Sequence, residues 1–175
     1  MRLGTILVIG YGNDLRGDDA AGQRAAARID AWRLPGVEVR ALPQLTPELA
    51  EPLAAADRAV FLDARLASSG TAIRVHRLRP ATPTARPAHT SDPEGLLALA
   101  QTAFGRSPEA WWITIPATDF SFGAPLSALA ERGMADALAT VRRLLAPLAG
   151  AADAAPARLG CAANEAAACP EREPS

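Results

Sequence analysis

The sequence predicts an α/β fold: a layered, largely parallel sheet with helices on both faces. Three observations carry that expectation. Short apolar or alternating runs take turns with alanine-rich helical stretches along most of the chain. The first apolar run, "ILVIG", empties into a glycine-flanked turn, "YGNDLRGDDAAG" at 11–22, as a strand does when it hands over to a helix. The link between the run at 58–63 and the alternation at 71–77 is too short for a crossover helix, so one strand must be antiparallel.

Taken in order, residues 3–9 are a short aliphatic strand suited to burial. Residues 19–32 suit a helix whose start Asp18 or Asp19 can cap. "GVEVRAL", 36–42, sets Val37, Val39 and Ala41 against Glu38 and Arg40, the alternation of a half-exposed strand. A short helix follows Thr46, with Pro47 in its first turn. "RAVFLDA", 58–64, is a buried strand ending on Asp63, and "TAIRVHRL", 71–78, alternates again with His76 toward solvent. "SDPEGLLALAQTAF", 91–104, combines a cap, an early proline and the stripe Leu96, Leu97, Leu99, Ala100 into a helix. "AWWITIP", 110–116, reads as a strand stopped by Pro116. A last helix, behind the cap Ser127, carries Leu129, Met134, Leu138, Val141 and Leu145 at helical spacing.

The chain of 175 residues, 49% hydrophobic, has enough apolar material for one core, and residues 1–149 read as a single domain. From 150 to 175 almost no large apolar side chain appears; an Ala/Pro-rich tail of that kind is expected to be disordered. A net charge of -1 gives no basic face for nucleic acid, and every basic side chain except the histidines is Arg, a compositional bias. No stretch reaches about 18 consecutive apolar residues, so no membrane span is expected. Cys161 and Cys169 lie in the tail, which implies no disulfide framework. A cytoplasmic protein is the natural reading, and a monomer is expected.

The turn at 11–22 has the shape of a phosphate cradle but carries Asp14, Asp18 and Asp19. A dinucleotide fingerprint needs a glycine where Leu15 stands, and "RALPQ" offers no acid to hold a ribose. In open α/β sheets ligands bind beyond the C-terminal strand ends. The aspartates of this turn, Asp63 at its strand end, and His89 in the loop "RPAHTSDPEG" all fall where they can share that rim. A carboxylate at the end of a buried run needs a partner or a cation. Carboxylates with one imidazole suit a borderline divalent cation, so the turn's ligand is expected to be a cation. Helix capping by Asp18 or Asp19 and a plain loop role for His89 are the competing readings. For Asn13, a grip on the substrate backbone or oxyanion competes with turn stabilisation.

At these residues the chain resembles the hydrogenase maturation proteases, endopeptidases that trim the C-terminal extension of the nickel–iron hydrogenase large subunit. "VIGYGNDLRGDDAAG" is close to the family signature G-x-G-N-x-L-x-x-D-[DE]-x-x-G. "AVFLDA", "HTSDPEGLLALAQTAFG", "PEAWWITIP" and "FSFGAPLS" follow in family order, covering about residues 3 to 148. The resemblance implies a three-layer α/β/α sandwich, phosphorylase/hydrolase-like, with a mostly parallel twisted sheet. It implies that Asp19, Asp63 and His89 are the metal-contacting and catalytic trio of an aspartic-type endopeptidase, with Gly12 and Asn13 toward the substrate. It further implies nickel carried by the precursor and no organic cofactor. A nickel-binding accessory protein that holds the precursor uncut, or a divergent member with another substrate, are the alternatives.

Overall fold

Residues 4–80 and 92–152 are described by the computed structural model. β1 (Ile6–Tyr11), β2 (Val37–Leu42), β3 (Arg58–Leu66), β4 (Arg74–Leu78) and β5 (Glu109–Ala117) form one sheet in the order β2-β1-β3-β5-β4. All neighbours are parallel except β4, which runs antiparallel to β5. The expected antiparallel strand is therefore present, but β5 lies between it and β3. Crossing from β3 to the far side of the gap left for β5 takes only the short 67–73 link, a placement that loop length alone does not specify.

The helices divide between the two faces because strand side chains alternate. On one face Leu7, Ile9, Ala59, Phe61 and Ala110 pack against α2 (Ala50–Ala55) and α3 (Pro93–Phe104) through Leu53, Leu96 and Leu97. On the other, Ile6, Val8, Val60, Leu62, Ile113 and Ile115 meet α1 (Ala21–Asp30) and α4 (Ala128–Ala152) through Ile29, Met134 and Val141. The result is the three-layer α/β/α sandwich. Phe61, Leu53, Leu96 and Leu97 are fully enclosed, each worth about 1.5–3 kcal/mol.

Several element ends differ from expectation. β3 does not stop at Asp63 but continues to Leu66, because β5 runs alongside in register from Arg58↔Glu109 to Leu66↔Ala117. β5 likewise passes through Pro116; the pairing with β4 ends at Thr114, so the proline's missing N–H costs no ladder bond on that side. Asp92 caps α3, accepting from the Gly95 N–H at 2.6 Å, and Ser127 Oγ accepts from the Ala130 N–H at 3.1 Å. α4 continues to Ala152, past the expected boundary at 149, and residues 153–175 with both cysteines lie outside the described residues. His76 is exposed on β4, as expected.

One close approach sets the site. A Cβ on Gly22 would come within 2.5 Å of the Leu62 carbonyl oxygen and collide with that of Tyr11. Only glycine lets the start of α1 settle onto the ends of β1 and β3. The turn before α1 is thereby held over the rim where β3 presents Asp63.

Candidate active site

The turn after β1 closes on itself. Gly12 has φ +136°, and a Cβ there would fall on the Asp19 carbonyl oxygen. With glycine at 12 the chain folds back so that the Asn13 N–H donates to Asp19 Oδ2 at 3.0 Å. Asn13 Oδ1 accepts from the Leu15 N–H at 3.0 Å, the Asp19 N–H donates to the Arg16 carbonyl at 2.9 Å, and the Gln23 amide donates to the Gly12 carbonyl. Asn13 thus has its main-chain N–H on Asp19 and its side-chain oxygen in a local Asx turn.

Neither acid of the "DD" pair caps the helix. Residues 17–20 form a 3₁₀ turn leading into α1, and neither start carries a side-chain cap. The two carboxylates diverge. Asp18 is fully buried and accepts from the N–H groups of Thr118 (2.7 Å), Asp119 (3.0 Å) and Ser127 (2.6 Å), and from Ser127 Oγ (2.8 Å). Burial pushes its carboxyl up, but the donors of Ser127, Thr118 and Asp119 outweigh that and hold it below the usual carboxylate range. Asp18 is the rivet between the 12–19 turn and the 118–127 loop. Asp19 stays partly exposed, with one oxygen on Asn13.

Asp63 sits on the α2/α3 face of β3, beside Thr114 of β5. Burial raises its carboxyl from 3.8 to about 6; hydrogen bonds from the Tyr11 hydroxyl and the Ala64 N–H oppose the rise, and the charge of Asp19 adds to it. Asp19 and Asp63 therefore share one electrostatic site. Tyr11, the last residue of β1, falls on the same face as Asp63. Its phenol is pushed far up by burial, then by the Asp63 charge and hydrogen bond, and further by the charge of Asp92. The Trp112 indole N–H beside it is buried with no partner in hydrogen-bond geometry, although it lies close enough to favour the phenolate. Arg65, two residues beyond Asp63, donates to Thr114 Oγ1 at 3.3 Å and to the carbonyls of Leu66, Gly70 and Ala72.

His89 lies outside the described residues. Asp92, three positions along the chain, is close enough for its charge to act on Tyr11. Among the described residues, no group of three or more His, Cys, Asp or Glu side chains is set to hold a metal ion. No helix among them is long and apolar enough to cross a membrane. Tyr11 escaped the sequence reading, although alternation from Ile9 and Phe61 puts residues 11 and 63 on one face. The anchoring role of Asp18 left no local signal, since its partners are about a hundred residues away. Two carboxylates of unequal burial at a sheet rim, one with its carboxyl raised to about 6, can receive a cation or take a proton from water.

No family model and no curated protein sequence matches the chain. Solved structures do. The maturation protease HycI of Thermococcus kodakarensis KOD1 is 21% identical, with a TM-score of 0.64 over 82% of this chain and 93% of its own. The hydrogenase 2 maturation peptidase of Thaumarchaeota archaeon SCGC_AB-539-E09 is 24% identical, with a TM-score of 0.61 over 81% and 97%. The hydrogenase maturating endopeptidase HybD of E. coli is 20% identical, with a TM-score of 0.60 over 82% and 93%. The chain carries the α/β/α fold of the [NiFe] hydrogenase maturation proteases, the group its turn and strand motifs resemble.

Proposed function

We propose that this protein is an endopeptidase of hydrogenase maturation, removing the C-terminal extension of a nickel–iron hydrogenase large-subunit precursor once nickel is in place. The observation that carries the reading is that the turn bearing Asp19 closes over the ends of β1 and β3, near enough to Asp63 for the charge of Asp19 to act on it. Its support is the shared fold over most of both chains and the match of the 11–22 turn to the signature of those proteases.

The physics of the pair favours a cationic ligand. Ionised Asp63 bears the cost of burial and the repulsion of Asp19. A divalent ion between the two carboxylates relieves both costs at once. Nickel borne by the precursor is such an ion, with His89 as the nitrogen ligand that suits its borderline character. Metal loading of the substrate then becomes the recognition element, and docking on it fixes the peptide bond beside the carboxylates. Orientation of this kind contributes about 7–11 kcal/mol at best.

For the chemical step, a carboxylate of this rim serves as the base, through an oxygen that the nickel leaves free. It takes a proton from water as the oxygen adds to the peptide carbonyl carbon; the proton then passes to the leaving nitrogen as the C–N bond breaks. Tyr11 holds the Asp63 carboxylate in place by its hydroxyl. Localisation in the cytoplasm and action as a monomer complete the proposal.

The test is incubation of the purified protein with nickel-loaded and nickel-free precursor, followed by mass spectrometry. Loss of the C-terminal peptide from the loaded form alone is the expected result. Binding without a new terminus would make the protein a holder of the precursor, and cleavage of both forms would remove nickel from recognition.

A further inference from the structure

Trp112 has a buried indole N–H that meets no acceptor in hydrogen-bond geometry among the described residues. A donor shut away from water is costly until an acceptor reaches it. Ile9, Phe61 and Trp112 share one row across β1, β3 and β5, and Asp63 and Thr114 form the row one pleat further on. Tyr11 follows Ile9 by two, so it leaves β1 on the face that bears Trp112 and Asp63. Tyr11 and Trp112 both lie half-buried against the core beneath α2 and α3.

The Tyr11 hydroxyl has one hydrogen to give and lone pairs with which to accept. Its hydrogen goes to Asp63. A second carboxylate, Asp92, is near enough for its charge to act on Tyr11, but it caps α3 through the Gly95 N–H at 2.6 Å. The oxygen of Tyr11 is left to accept, and the Trp112 indole is the donor beside it. An N–H set on that oxygen directs the phenolic hydrogen away from itself, toward Asp63.

We infer that Trp112 is a positioning residue for the reaction: its indole N–H holds the Tyr11 hydroxyl in the orientation that fixes the Asp63 carboxylate. The inference rests on the endopeptidase reading of the Asp19–Asp63 rim, and it adds to that rim a residue that acts only through another. Asp63 is then held by two donors, the Tyr11 hydroxyl and the Ala64 N–H, and its remaining lone pairs keep one direction for the incoming precursor. Outer partners of this kind aim a ligating or basic carboxylate, and their loss is felt as lost activity although the carboxylate itself is still there.

Nuclear magnetic resonance of the full-length protein, isotope-labelled in nitrogen, reads the contact directly. The Trp112 indole resonance is the one lost in Trp112→Phe, or is assigned through the backbone if that variant does not fold. In Tyr11→Phe, which keeps the ring and removes only the acceptor, it should shift upfield while the Trp32 and Trp111 resonances stay in place. Processing of nickel-loaded large-subunit precursor is then compared in Tyr11→Phe, Trp112→Phe and the double variant. Trp112→Phe should lower kcat/KM about threefold to tenfold with Tyr11 present. In the Tyr11→Phe background the same change should stay within about twofold, because the N–H acts through that hydroxyl. A Trp112 resonance unmoved in Tyr11→Phe overturns the inference, as does no loss from Trp112→Phe or the same fractional loss in both backgrounds. If the wild type cleaves nothing, the endopeptidase reading fails by itself, and the indole resonance alone decides the contact of Trp112 with Tyr11.

Discussion

Asp63→Asn isolates the energetic cost of the site. In the unfolded chain this carboxyl titrates at 3.8; in the fold, burial raises it to about 6. An acid with a raised folded value holds its proton more tightly when folded. Its contribution therefore favours folding at low pH and is lost as pH climbs from about 4 through about 6. The gap between 3.8 and about 6, at about 1.4 kcal/mol per pH unit, is worth about 3 kcal/mol at most, since Asp63 retains some solvent contact. Asparagine keeps the shape but has no proton to lose. The measurement is urea unfolding of wild type and Asp63→Asn at pH 4 and pH 7.5, with the difference in stability taken at each pH. Carboxylates remote from Asp63 titrate alike in both proteins and cancel. The variant should gain up to about 3 kcal/mol on the wild type between the two pH values, about 6–12 °C in melting temperature for a domain of this size. It should also lose processing. A pH-independent difference would refute the assignment of Asp63 as a carboxylate strained by its own ionisation. A loss of stability at pH 7.5 greater than at pH 4 would refute it more strongly.

Tyr11→Phe removes the hydroxyl bond that favours the ionised form, so the carboxyl of Asp63 should move above 6; the same pair of unfolding series, run against Tyr11→Phe/Asp63→Asn, locates the midpoint. Asp18→Ala leaves three N–H donors of the 118–127 loop without their acceptor and should cost at least about 1–3 kcal/mol near neutral pH, the cost of one buried unsatisfied donor. Because Asp18 titrates below its ordinary value, that cost should fade as pH falls through the carboxylate range, which acid unfolding curves will read. Gly22→Ala forces a methyl group into the Leu62 carbonyl and should cost about 2–3 kcal/mol by the same measurement. His89→Ala should end processing of nickel-loaded precursor with melting unchanged, while His76→Ala should process at the wild-type rate.

Local pattern carried much of the architecture. Ile6, Val8 and Leu7, Ile9 announce a strand buried on both faces, and the stripe Leu96, Leu97, Leu99, Ala100 announces a helix, because side-chain period is a property of neighbours in the chain. The glycines at 12 and 22 marked the turn in the sequence, but the close approach of backbone to backbone that each permits is visible only in the structure. The two adjacent aspartates were not separable on the same basis. Both can cap a helix, and the structure uses neither for that, sending Asp18 inward and leaving Asp19 at the rim.

By itself, then, the chain's order of residues determined the alternation of strands and helices, the faces they bury, and the turn that opens the site. All of these follow from contacts within a few residues. Tertiary structure alone decided that β5 separates β3 from β4, that Asp18 ties residues 118, 119 and 127 to the first turn, and that Tyr11 reaches Asp63. Each of those depends on groups brought together from about 30 to about 110 positions apart. Burial and charge, which set the chemistry of a carboxylate, exist only once such groups have met.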